Sequence, residues 1–174
     1  MDSESRKRLR TGVKYAWLLG GLAILYVLLD FSFDFRPSNL QTSYRFEVGE
    51  LEPDQVRILR QDNLSILVMR RSAATIASLE QGGGLQDPGS SSSRQPDAAA
   101  NLLRSRNPEY FVSYALGTDL GCALELEESG FREICGQARY DFAGRALDGA
   151  RSFRNLSIPD YNFDDDFTTL TIFP

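Results

Sequence analysis

The sequence predicts an all-β domain, an antiparallel sandwich or barrel, carried on a single N-terminal transmembrane helix. Three observations carry this. Residues 15–29, YAWLLGGLAILYVLL, are fifteen uncharged residues in a row. Beyond residue 44 the chain breaks into short alternating runs separated by turn residues, the pattern of many short strands. Charge is also segregated. Residues 1–14 carry five basic side chains against two acidic ones, a net +3. With 19 basic and 24 acidic residues in all, the remainder carries 14 against 22, a net −8. A basic tip, an apolar run and an acidic body describe a membrane-anchored domain.

The basic tip occupies 1–14 and the anchor 15–35. The uncharged run is shorter than the ~20 residues that span a bilayer core. Continuing to Phe35 adds three phenylalanines, and Lys14 can snorkel at the other end. A buried core helix or a cleaved signal peptide would look similar. The run is apolar all round, however, and LLDFSFDF offers no small-x-small cleavage site. The basic tip places the N-terminus in the cytoplasm and the body across the membrane. Acidic residues at positions 2 and 4 argue against a mitochondrial presequence. The expected location is therefore a bacterial inner membrane, single-pass, with a periplasmic domain. There two cysteines can persist as a disulfide.

Residues 36–44, RPSNLQTSY, are polar and read as a hinge before the β-domain at 45–174. Strands are expected at 44–48, 56–59 and 64–69, with turns at 49–54 and 61–63. SAATIASLE at 72–80 suits a short helix with Ser72 as N-cap. GGGLQDPGSSSSRQPDAAA at 82–100 is low-complexity and expected as a mobile surface loop. Further strands are expected at 110–116 and 138–141, a turn at 143–145, and closing strands near 155–158 and 167–172.

The chain has two cysteines, Cys122 and Cys135, and no histidine. This excludes Ser-His-Asp and Cys-His catalysis, His-ligated zinc and His-ligated haem. Two cysteines also fall short of the four thiolates of a ferredoxin-type cluster. No basic and aromatic patch suggests nucleic acid, and Asp164-Asp165-Asp166 reads as a turn with solvated charge.

The cysteine region resembles the Rieske iron–sulfur subunit of cytochrome bc (quinol–cytochrome c oxidoreductase) complexes, whose loops read C-T-H-L-G-C and C-P-C-H-G-S-x-Y-D. Here the first loop is Gly117-Thr118-Asp119-Leu120-Gly121-Cys122, and the second runs Glu133-Ile134-Cys135-Gly136-Gln137-Ala138-Arg139 into Tyr140-Asp141. Gly144-Arg145 resembles the family's G-R, and Asn155-Leu156-Ser157-Ile158-Pro159 with Tyr161 and Phe163 its closing motif. LEPDQ at 51–55, LSILVMRRSAATI at 64–76 and Asn107-Pro108-Glu109-Tyr110 extend the likeness over nearly the whole chain.

The resemblance implies a Rieske-like fold, and the departures from it fall together. The four positions that would ligate the irons are Gly117, Asp119, Glu133 and Gly136, so no 2Fe-2S cluster is expected and no other cofactor or metal is implied. The two positions that would form the family's disulfide are Cys122 and Cys135, both present. The reading is a non-catalytic, cluster-free subunit with a structural or assembly role. Its implied partners are cytochrome b, a membrane-anchored cytochrome c subunit, a cluster-bearing Rieske paralogue and the lipid bilayer.

Two alternatives compete for the cysteine region. One is a periplasmic binding or thiol–disulfide sensing module outside such a complex. Twelve intervening residues and the nearby Glu125, Glu127, Glu128 and Glu133 weaken that reading, because negative surroundings blunt thiol reactivity. The other is a hard cation held by Asp119 and Glu133. Two carboxylates are too few for Ca²⁺, and solvated acids at the loop tip are the expectation.

Overall fold

A computed structural model of the chain describes residues 3–32, 43–149, 151 and 153–174. The chain forms two compact units, Met1–Leu40 and Gln41–Pro174. The hinge expected at 36–44 lies outside the described residues except for its last two, as do residues 33–35 of the expected anchor.

The first unit is a helix, α1 (Ser3–Ser32). It is long and apolar enough to cross a membrane, and none of the apolar stretch is buried against protein. At 1.5 Å per residue its 30 residues extend about 45 Å. Tyr15, Trp17 and Tyr26 stand fully outward, the residue types that settle at membrane–water interfaces.

Among the described residues, the second unit contains three antiparallel sheets of three strands each. The first pairs β1 (Tyr44–Glu47) with β9 (Thr169–Phe173) and β9 with β8 (Asp160–Phe163), in the order β1-β9-β8. Phe46 faces Leu170 across the first pair, and alternation sends Phe46, Leu170 and Ile172 into the core. The second sheet is β2 (Val56–Gln61), β3 (Leu64–Arg70) and β4 (Tyr110–Tyr114). Its central strand is buried from Ile66 through Met69, which is why LSILVMR reads as a continuous apolar run. Helix α2 (Ala73–Glu80) follows, and the Ser72 hydroxyl caps it by accepting the Thr75 N–H at 3.2 Å. The third sheet, β5 (Leu124–Glu127), β6 (Gly130–Glu133) and β7 (Arg139–Tyr140), frames the cysteine loops.

Two sequence expectations need correction. Asn155, Leu156 and Ile158 are buried, but residues 155–158 form no strand. The Leu156 N–H bonds to Gly144 O and the Ile158 N–H to Arg94 O, so those donors go to loops rather than to a sheet. Pro159 then interrupts with no N–H to offer, and pairing starts only at Asp160. The β5–β6 hairpin falls between the strands expected at 110–116 and 138–141, within the span 117–141 that the resemblance implies as degenerate cluster-binding loops. Its LELE alternation was the available signal, masked by four glutamates within nine residues.

The segment 82–100, expected as a mobile surface loop, is bonded into the domain along its length. Gln86 Nε2 donates to Leu147 O and Arg151 O, and Asn155 Nδ2 donates to Asp87 O and Ser90 Oγ. The Asp87 carboxylate collects the N–H groups of Ser91 and Ser92. Buried arginines complete the anchoring. Arg104, fully buried, donates to Gln95 Oε1, Gly144 O and Leu156 O at 3.0, 3.0 and 2.7 Å. Arg71 donates to Leu103 O and Ser105 Oγ and lies over the Phe111 ring. Desolvation lowers both guanidinium pKa values to about 10, which leaves them cationic at neutral pH.

Gly144 is a second fixed point. Its φ is +67°, and an added Cβ would stand 2.7 Å from Phe111 Cζ. The Asp141 carboxylate holds the turn around it by accepting the N–H groups of Ala143 and Arg145, both at 2.9 Å.

Arg104→Leu should leave the Leu156 carbonyl unpaired in the core, remove one of the two donors at Gly144 O, and cost about 2–4 kcal/mol, read by chemical denaturation of the full chain. Limited proteolysis should then cut first within 82–100. Unchanged stability and an unchanged cleavage pattern would show that the segment is held by something other than this guanidinium.

Candidate functional site

The two cysteine loops grow out of neighbouring strands. The first, 117–122, connects β4 to β5, and its ends are drawn together by the Gly117 N–H bond to Cys122 O at 2.8 Å. The second, 134–138, connects β6 to β7 and is closed by the Glu133 N–H bond to Ala138 O at 3.0 Å. Ile134 N–H reaches Ala123 O, which ties the loops side by side. Cys122 and Cys135 are joined in a disulfide with a Cα–Cα distance of 6.0 Å, within the ordinary range.

Between the loops lies Glu133, the last residue of β6, with no accessible surface. Its carboxylate accepts three backbone N–H groups from the opposite loop: Asp119 at 2.9 Å, Leu120 at 2.8 Å and Cys122 at 2.8 Å. Asp119 makes the reciprocal connection. Its side chain is 4% exposed, its Oδ2 accepts the Gln137 N–H at 2.9 Å, and its Oδ1 faces the Arg151 guanidinium at 3.6 Å. Each carboxylate therefore crosses from its own loop to the backbone of the other.

The two glycines of the quartet make this possible. A Cβ at position 117 would collide with the Glu133 carboxylate. A Cβ at position 136 would lie 2.8 Å from Asp119 Oδ2 and 3.1 Å from Glu133 Oε2. Gly117 and Gly136 vacate the space that Glu133 and Asp119 fill. The expectation of solvated acids at the loop tip is thus corrected. Both carboxylates are buried, because backbone donors that water would otherwise satisfy converge on them.

Tyr140 supports the first loop from below. Its phenol accepts the Thr118 N–H at 2.7 Å and shares a 2.9 Å hydrogen bond with the Thr118 hydroxyl, which donates onward to Arg154 O at 2.6 Å. Burial pushes the phenol pKa up, so it stays protonated and can serve both bonds. Leu120 and Ile134, one on each loop, leave their side chains 63% and 54% exposed.

The donor set decides which groups the site can hold. Cys122, Glu133 and Cys135 bring their ligand atoms within 4.8 Å of one another, but the two sulfurs are bonded to each other. A 2Fe-2S cluster requires thiolates or imidazoles, and the quartet offers two glycines and two carboxylates already engaged by N–H donors. These residues do not fit a cluster. A hard cation fits no better, since N–H groups pointing at Glu133 form a nest that favours negative charge. Gly117, Asp119, Glu133 and Gly136 lie together across the two loops. Residue type and spacing do not reveal Gln137 and Arg151 as partners of Asp119, and Tyr140, which supports Thr118, carries a signal through the Tyr-Asp motif.

No family model matches the chain. Among curated proteins it is similar to the cytochrome b-c1 complex subunit Rieske-1, mitochondrial, of Arabidopsis thaliana, at 28% identity over 127 residues. The match covers 70% of this chain and 42% of that protein, so the chain spans about two fifths of its relative's length. A solved structure described as hyperthermophilic respiratory Complex III aligns over 92% of this chain and 98% of its own. The identity is 20% and the TM-score 0.48.

Glu133→Ala should cost about 2–4 kcal/mol by orphaning three buried N–H groups, and Gly117→Ala a similar amount by displacing the same carboxylate. The double variant should cost less than the sum by about 1–3 kcal/mol, because the clash needs Glu133 to exist. Additivity in that cycle would show that the two positions are not packed as a pair. Replacing both cysteines by serine should cost ~3 kcal/mol. Amide exchange at 119 and 120 should nevertheless stay slow, since those donors bond to Glu133 and not to sulfur.

Proposed function

We propose that this chain, a relative of the Rieske iron–sulfur subunits of cytochrome bc complexes, is a cluster-free, membrane-anchored subunit that acts by binding within such a complex rather than by carrying electrons. The observation that supports this most directly is the packing of Glu133 between the cysteine loops. The carboxylate takes up the loop donors, and Gly117 has no room for a ligating side chain while Glu133 is in place. Electron transfer through this tip would need a redox centre, and the four quartet positions supply no thiolate or imidazole.

The anchor and the tip support a structural role. The N-terminal helix α1 would fix the subunit in the bilayer, with its basic end cytoplasmic and the β-domain periplasmic in a bacterial inner membrane. Residues 1–14 would be the cytoplasmic tip, 15–35 the anchor, 36–44 the hinge and 45–174 the periplasmic domain. Leu120 and Ile134 would present an apolar contact on loops that need no metal to hold their shape. The partners this implies are cytochrome b and a membrane-anchored cytochrome c subunit, with a cluster-bearing Rieske paralogue supplying the redox step.

A thiol–disulfide sensor is the weaker alternative. The Glu133 carboxylate lies within 4.8 Å of both sulfurs, and negative charge beside a thiol raises its pKa and slows exchange.

The test is to tag the full chain in its native membrane, solubilise it gently, and assay the particle for haem, iron and associated chains. The expected outcome is co-purification of cytochromes b and c, with no iron assignable to this chain when it is separated from them. A reduced Rieske-type EPR signal from the isolated chain would overturn the cluster-free reading. Recovery of the chain without cytochromes would overturn the setting.

A further inference from the structure

We propose that the cavity beside the second cysteine loop binds a phosphate-type dianion. The cavity has a volume of about 510 Å³ and draws three arginines from separate places: Arg132 on β6, Arg139 on β7, and Arg151. Gln137, Asp148 and Phe153 complete the polar and apolar lining the argument uses. Three guanidiniums thus share one cavity in a body whose overall balance is −8 beyond residue 14, and Glu125, Glu127 and Asp119 pair with them.

The register makes the concentration unusual. Arg132 and Arg139 are direct cross-strand partners, an arrangement that repels unless an anion intervenes. Glu127 supplies part of that anion, with Oε1 at 3.1 Å from Arg132 Nε and Oε2 at 3.6 Å from Arg139 Nε. Arg132 is also paired with Glu125. The other two arginines are held loosely. Arg139 and Arg151 are 61% and 59% exposed, and among the described residues each has one ion pair, at 3.6 Å, to Glu127 and Asp119. Arg151 also rests over the Phe153 ring, 5.8 Å from its centroid.

A guanidinium carries five N–H donors in a planar fork, and one long ion pair at a half-exposed site commits few of them. Two such forks on one cavity match the oxygens of a tetrahedral dianion better than they match chloride or a lone carboxylate. Asp148 is the one carboxylate in the lining and opposes an anion, so binding depends on direct hydrogen bonds from the Arg139 and Arg151 forks. The volume exceeds that of bare phosphate and leaves space for an attached group against Phe153. Such a phosphoryl group can come from a free phosphate compound or from an anionic lipid headgroup.

The experiment uses the full chain in a non-ionic detergent at constant ionic strength. One arm titrates inorganic pyrophosphate and the other a short-chain, water-soluble phosphatidic acid, both followed by isothermal calorimetry. Saturable binding of pyrophosphate assigns a free phosphate compound; binding of the phosphatidic acid alone assigns a lipid headgroup. In either case Arg139→Ala with Arg151→Ala should weaken binding at least about tenfold. The corresponding double lysine variant should fall between, because charge remains and the fork is lost. Near-UV circular dichroism shows whether each variant keeps the native packing. Absence of saturable binding in both arms, or equal binding by the natively packed double alanine variant, would overturn the proposal.

Discussion

Three backbone N–H groups of one loop converge on a single carboxylate from the other, and the cysteine region is organised around that convergence. Glu133 is wholly buried and its carboxylate is met by those three donors, so the position of each loop is fixed by the other. Asp119 repeats the arrangement in the opposite direction through Gln137. Hydrogen bonds to a charged acceptor in a low-dielectric site are stronger than neutral ones, and strongly directional. The disulfide adds a covalent limit on how far the loops can separate, but it does not orient them. The carboxylates do that.

The same logic of charged groups satisfying backbone recurs in the rest of the β-domain. Arg104 bonds two carbonyls of segments near the core, and Asp141 bonds two N–H groups of the turn that carries Gly144. Arg145 joins the system through Asp141 and through Leu79 O at the end of α2. These contacts connect the helix, the 82–106 segment and the closing segment without a continuous sheet. They explain how three small sheets with long connections between them share one core.

Much of this was legible in advance. The apolar run, the short alternating strands, Ser72 as an N-cap and the pairing candidates Cys122 and Cys135 were all read from residue type and spacing, or from the family likeness. What the sequence hid was contact between distant positions. Nothing in GGGLQDPGSSSSRQPDAAA reveals that Asp87, Gln86 and Ser90 find partners near Asn155, some 65 residues later. Asp119 and Glu133 look like surface acids because charge usually means solvent. Only the adjacency of Gly117 and Gly136 shows that the space was made for them.

Gly117 and Glu133 fit each other so closely that neither position can change alone without loss. A cysteine placed at position 117 would meet the Glu133 carboxylate before it could meet a metal. Removing Glu133 first would leave buried donors exposed and unpaired. Placing a ligating side chain at either position therefore means altering both together, since each single change costs stability. The glycine and the carboxylate form one unit of substitution, exchanged more readily as a pair than one residue at a time.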